Sequence, residues 1–257
     1  MLIDSHCHLN DEKLLPEAAE IVSGFSEHGI ESAICVGYDM PSSETAVELA
    51  EKYENLYAVI GIHPHDATTA DYDKYERLAT LSSSKKVVGI GEIGLDYHYD
   101  LSPRAIQKGA FAEQLELADT LGLPVVLHVR EAYEDAKSIL FESRRFLNNG
   151  VLLHCYSGSK EFVKIFGELD AYFAFGGAIT FNNAKHNIEA LKEVPLDRLL
   201  LETDCPYMTP VPFRGKTNKP EYVNLVADKA SEVLNIPREE LEKITTENTK
   251  RLFIRMN

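Results

Sequence analysis

The sequence predicts an α/β chain folded as a TIM-type (β/α)8 barrel with extra C-terminal helices. Three observations carry that expectation. Eight short apolar runs alternate with helical patterns along 257 residues, a length at which such a barrel forms one domain. The runs are rich in Val, Ile and Leu and continuous, as in a parallel sheet buried on both faces. Finally, a His, Glu or Asp stands at the end of most of them, and β/α barrels place their active sites at the C-terminal ends of the strands.

In chain order, strand-like runs fall at 2–5, 30–36, 56–62, 86–92, 123–128, 150–154, 171–175 and 198–203. Helical periodicity fills the intervals at 16–28, 43–54, 71–83, 103–121, 131–147, 159–169 and 184–193. Pro16, Ser42-Ser43, Ser102-Pro103 and Ser159 stand where helices should start, because hydroxyls cap free N–H groups and proline fits the first turn. Gly29, Gly122 and Gly150 stand where helices should stop. Two more helices, at 221–235 and 238–254, close the chain, the second opening at Pro237. No linker, repeat or low-complexity segment divides it, so 1–257 is read as a single domain.

Composition narrows the class. Hydrophobic residues make up 44%, enough for a sizeable core. No run of apolar residues is long enough to span a membrane, and MLIDSHCHLN lacks the pattern of a signal peptide. Four cysteines without C-x-x-C spacing point to a reducing compartment, so a cytoplasmic protein is expected. The net charge of −15 argues against nonspecific coating of nucleic acid, because phosphates would be repelled. It still allows nucleic acid as a substrate engaged at one cleft. The segment 205–219 is a local exception, with Arg214, Lys216 and Lys219 and no acidic residue.

The chemistry lies at the strand exits. His6 and His8, spaced i and i+2, place two imidazoles on one strand face. Glu92 follows the fourth run, His128 the fifth, His154 the sixth and Asp204 the eighth, while the third leads into Gly61-Ile62-His63-Pro64-His65. A lone strand-end histidine is more often a hydrogen-bonded core residue. Joint placement at six exits reads as a metal centre instead. Glu92 is the candidate bridge between two cations, and Asp204 a ligand that also orients or deprotonates water. Glu202 shares the face of Asp204 by period two. By the same alternation Cys7, Cys155 and Cys205, each beside a proposed ligand, face away from it as packing residues. His28 and His186 need no function, and His98 is expected in a loop near the mouth.

These segments resemble the TatD family of metal-dependent nucleases, a branch of the amidohydrolase-type barrels. The matching stretches include Asp4-Ser5-His6-Cys7-His8, Gly91-Glu92-Ile93-Gly94-Leu95-Asp96-Tyr97, Leu127-His128-Val129-Arg130, His154-Cys155-Tyr156-Ser157-Gly158, Glu202-Thr203-Asp204-Cys205-Pro206 and Pro212-Phe213-Arg214-Gly215-Lys216. The resemblance implies two divalent metal ions (Mg, Mn, Zn or Fe). His6, His8, Glu92 and Asp204 would surround one, and Glu92, His128 and His154 the other. It also implies His63 close to a substrate phosphate or a further cation, with Arg130 and Arg214 lining the site. The implied activity is a 3′→5′ exonuclease on single-stranded DNA or RNA, with nucleic acid as substrate and no membrane or obligate protein partner. A metal-dependent ester or amide hydrolase, such as a D-aminoacyl-tRNA deacylase, is the alternative, because the donor set does not distinguish phosphorus from carbon as electrophile. Tyr97, Tyr156 and Phe213 are candidates to stack a terminal base.

Overall fold

The structure, a computed structural model, describes all 257 residues. The strands are β1 (Leu2–Cys7), β2 (Ile30–Val36), β3 (Leu56–Ile60), β4 (Val87–Asp96), β5 (Val125–Arg130), β6 (Val151–Leu153), β7 (Tyr172–Phe175) and β8 (Leu199–Leu201). They pair in parallel and in sequence order. β1 and β8 meet through a parallel bridge between Cys7 and Cys205, flanked by bonds from His8 N–H to Cys205 O (2.7 Å) and Asp204 N–H to His6 O (2.9 Å). The sheet thus curls into a TIM-type barrel. Each parallel crossover needs a connecting helix, supplied by α1 (Ala18–Ser23), α2 (Met40–Lys52), α3 (Tyr72–Leu81), α4 (Arg104–Leu121), α5 (Tyr133–Glu142), α6 (Lys160–Gly167) and α7 (Lys185–Glu193). The C-terminal additions are α8 (Val223–Leu234) and α9 (Arg238–Leu252). None of the helices is long and apolar enough to cross a membrane.

Two packed layers follow from strand alternation. The larger apolar cluster joins strand residues such as Ile60, Ile90 and Phe173 to helix residues such as Phe111, Leu115 and Val226, and so lies between strands and helices. The smaller takes Ile34, Val59, Val88, Val126, Leu152 and Leu200 together with Leu252, Phe253 and Met256. The chain's last turn therefore packs on the opposite strand face. Arg255 ties it to the bottom of the barrel, donating to the carbonyls of Ser82, Ser84 and Val87 at 2.8, 3.3 and 2.9 Å. With that end closed, chemistry is confined to the C-terminal mouth.

Local departures from expectation have identifiable causes. α2 starts before Ser42-Ser43: Asp39 is the cap, accepting from Ser42 N–H at 2.8 Å while Ser42 Oγ accepts from Asp39 N–H at 3.0 Å. Pro41 takes the first turn, where its missing N–H costs nothing. The 16–28 run is helical only over Ala18–Ser23, after a 3-10 turn at Leu15–Glu17. The chain then turns through Gly29, at φ +68°, to enter β2. The 131–147 run breaks after Glu142 into a 3-10 turn at Arg144–Phe146. Gly122 caps α4 at φ +66°, where a glycine was expected.

Candidate metal centre

At the mouth, Glu92 is 4% exposed and sits between two groups of imidazoles. Its Oε2 faces His6 Nε2 at 3.6 Å and His8 Nε2 at 3.8 Å. Its Oε1 faces His128 Nδ1 at 2.7 Å, His154 Nε2 at 2.8 Å and His63 Nε2 at 3.5 Å. Asp204 joins the first group, with Oδ1 3.4 Å from His8 Nε2 and 3.9 Å from His6 Nε2. The His6 and His154 rings stack at 3.8 Å, welding the groups together. Residues separated by most of the chain thus converge because their strands run parallel and end at one rim.

Tautomers decide what each ring can offer. His8 Nδ1 donates to Val36 O at 2.8 Å, which leaves a lone pair on Nε2. That lone pair faces His6 Nε2 across only 3.2 Å, with two carboxylates beside the pair. Nitrogens aimed at each other amid acceptors suit a shared cation. His6 Nδ1 is buried with no hydrogen-bond partner. Burial first, then His154, pushes His6 down to about 3, so it is a neutral donor. For His8, burial opposes charge, but Asp204 and Glu92 outweigh it and raise its pKa.

On the other side, Asp96 Oδ2 lies 2.9 Å from His128 Nε2. Burial disfavours the Asp96 carboxylate, yet hydrogen bonds from His128 and Tyr99 more than compensate, holding its pKa low. An ionised carboxylate only accepts, so Nε2 carries the proton and Nδ1 is the atom turned to the centre. His128 and His154 have raised pKa values: burial opposes their charge but is outweighed, for His128 by Asp96 and Glu92 and for His154 by Glu92 and Glu202. Glu92 itself lies well below the usual carboxylate range, since His154, His63 and His128 overcome the burial penalty. The donor types and their crossed-over protonation fit divalent cations, and the four groups His6, His8, Glu92 and Asp204, with Glu92, His128 and His154, are those that would hold them.

His63 is different. Its Nδ1 accepts from His65 N–H at 3.1 Å, so Nε2 bears the proton. Burial, then His128, pushes it down to about 4, leaving a neutral N–H donor. Close approach is built into the backbone here: Gly94, at φ +136°, passes so near β5 that a Cβ would lie 2.1 Å from His128 O. Arg130 ends β5 with its guanidinium 4.9 Å from the Tyr99 ring, and Arg214 lies on the β8 exit, 3.9 Å from Phe181.

Some expectations hold and others change. Glu202 stands directly behind the centre as its spacing suggests, its Oε1 3.7 Å from His154 Nδ1. The same oxygen accepts from Cys155 N–H at 2.6 Å, which holds the loop that carries His154. Cys7 and Cys205 are fully buried packing residues, whereas Cys155 is half-buried at φ +41°, outside any strand. Tyr156 is core, donating to Ser159 O at 2.8 Å. Phe213 stacks on Tyr222 at 4.8 Å, and Tyr97 donates to Asp135 at 2.6 Å beneath Arg104. The partly exposed aromatics beside the centre are Tyr38, Tyr99 and Tyr207. Asp96 was unassigned, although its i+4 spacing from Glu92 placed it at the same rim.

A parallel barrel whose mouth gathers imidazoles around one buried carboxylate defines a metal-dependent hydrolase. The family described as TatD related DNase matches residues 3–254. Similar proteins include the uncharacterized metal-dependent hydrolase YabD of Bacillus subtilis, 44% identical over 98% of this chain and 99% of that one. YcfH of Escherichia coli, described in the same words, is 34% identical over 98% and 95%. The solved structure of YjjV, a TatD homolog from Escherichia coli, superposes with a TM-score of 0.92 at 30% identity, covering 98% of both chains. A TatD family hydrolase of Entamoeba histolytica shares the fold, with a TM-score of 0.86 at 22% identity over 99% and 98%. The chain belongs to the TatD family.

Proposed function

We propose that this chain is a metal-dependent nuclease that shortens single-stranded DNA or RNA from its 3′ end. The observation that carries the reading is Glu92, with one oxygen turned to His6 and His8 and the other to His128 and His154. A carboxylate shared in that way suits divalent cations, which Glu92, His6, His8, His128, His154 and Asp204 would hold and which would supply acidity to water and offset charge on a phosphate. Asp204, held in its charged form by His8, His154 and His6 against the burial penalty, is placed to take the proton from attacking water. His63 donates its Nε2–H to a nonbridging phosphate oxygen, and as a neutral group does so without competing for a cation. Arg130 adds a planar fork suited to phosphate oxygens.

The family description supports nucleic acid as the substrate. The four free cysteines support a cytoplasmic setting, and the same reading takes the 257 residues as one domain. The test uses protein stripped of metal and reloaded separately with Mg, Mn or Zn. A 5′-labelled single-stranded oligonucleotide should yield a metal-dependent ladder shortening from the 3′ end. Glu92→Ala should abolish it while leaving the circular dichroism spectrum unchanged. A ladder retained in that variant refutes the bridging role. No cleavage with any metal moves the substrate class to carbonyl esters, with aminoacyl-tRNA the next to try.

A further inference from the structure

The rim of the mouth is electrostatically divided. The exits of β1, β2 and β3 carry Asp11, Glu12, Asp39 and Asp66. Apart from the imidazoles, the one cation in that half is Lys13, whose ammonium lies 5.5 Å from the Tyr207 ring. The exits of β6 and β7, residues 154–159 and 176–184, hold no acidic residue. The β8 exit has Glu202 and Asp204, both committed to the centre, followed by an acid-free stretch with Arg214 and Lys216. On this side the cations are poised rather than neutralised. Arg130, Arg214 and Lys216 lie over the rings of Tyr99, Phe181 and Phe213 at 4.9, 3.9 and 5.3 Å. Glu131, the acid at the β5 exit, is paired with His98 at 2.7 Å.

Between the acidic half and the centre stand two aromatic rings. Tyr38 and Tyr207 meet the edge of His8 at 5.8 and 6.1 Å, and Tyr207 donates to Asp11 at 2.8 Å. An uncharged, flat group suits that flank, whereas a phosphate there would meet Asp11 and the other carboxylates of the β1–β3 exits.

Building on the nuclease reading, we propose that substrate crosses the mouth in one direction. Its phosphodiester chain lies over the β5–β8 exits, and the unit beyond the scissile phosphate, enclosed by the β1–β3 exits, is a terminal nucleoside with no further phosphate. The acidic half is thus the device that makes the enzyme end-acting. It removes one terminal unit at a time and rejects an end that carries a phosphate.

The test compares two 5′-labelled single-stranded oligonucleotides of one sequence, ending in a 3′-hydroxyl or a 3′-phosphate, with the metal-loaded protein. Like charges meeting at this range should slow cleavage of the phosphorylated end by about tenfold or more. Affinities of both ends, read by fluorescence anisotropy on phosphorothioate-linked versions, should differ in the same direction. Glu12→Lys combined with Asp66→Lys, both outside the core, should narrow both differences while circular dichroism stays unchanged. Equal cleavage and affinity for the two ends, or a gap untouched by the double variant, overturns the proposal and leaves the nuclease reading standing. No cleavage of either end removes both.

Discussion

Asp96→Asn offers the sharpest test of how the centre is assembled. Asp96 is wholly buried, and its Oδ1 accepts from the backbone N–H groups of His98 and Tyr99 at 2.9 and 2.8 Å. Its Oδ2 accepts from His128 Nε2 at 2.9 Å. Asparagine preserves the volume and both backbone bonds, but sets an NH2 group against Nε2. That group only donates, so the neutral ring must keep its lone pair on Nε2 and move its proton to Nδ1. Nδ1 is the atom 2.7 Å from Glu92, and once protonated it cannot ligate a metal. Loss of such an orienting carboxylate costs about 10–100-fold in metal affinity. By contrast, stability should fall by only about 1 kcal/mol, the difference between a charged and a neutral hydrogen bond. Calorimetric titration of stripped protein with Zn or Mn should show one binding event weakened and the other, at His6 and His8, retained. Thermal unfolding of the metal-free variant should stay close to that of the parent. Unchanged affinity in both events would show that Asp96 does not set the tautomer.

Metal affinity should rise with pH. His8, His128 and His154 have raised pKa values in the metal-free protein, so a cation competes with protons that these rings bind more tightly than a free imidazole does. Titrations in buffers of different ionisation enthalpy should report proton release that fades above those values, and affinity falling as pH rises contradicts the assignment. In the metal-free state these rings bind more protons folded than unfolded. Their stabilisation is therefore complete below the ordinary imidazole value of 6.5 and is lost as pH rises through their raised values, which chelated protein should show in thermal scans. Gly177→Ala should unfold or locally rearrange the β8 exit, because its Cβ would lie 1.9 Å from Met208 O. A destabilisation of at least about 2 kcal/mol is expected in denaturant titrations, and a neutral result would mean that this exit shifts freely.

Much of the centre was legible because its signals repeat. His6, His8, Glu92, His128, His154 and Asp204 stand at the ends of apolar runs, and in a parallel barrel all those ends share one rim. Period-two arguments held within strands and failed just beyond them. β6 stops at Leu153 and β8 at Leu201, after which Cys155 and Asp204 adopt positive φ and alternation no longer tells which way a side chain points. Hence Cys155, read by alternation, lies outside any strand. Asp96 escaped notice because an acidic residue after a ligand looks the same whether it is solvated or buried against an imidazole. The α2 start was misplaced for a local reason, since Asp39 and Ser42 cap each other and sequence alone does not rank two good caps three residues apart.

The sequence by itself determined the barrel, the strand order and which residue types reach the mouth, because burial on both faces demands continuous apolar runs and parallel pairing demands helices between them. Only the tertiary structure decided the rest: which oxygen of Glu92 faces which imidazoles, which nitrogen of His128 is turned inward, and how the rim divides into acidic and basic halves. Those depend on distances between residues far apart in the chain. Proton positions and charge fields are set by neighbours in space, and closure of β1 against β8 is what makes neighbours of His6 and Asp204.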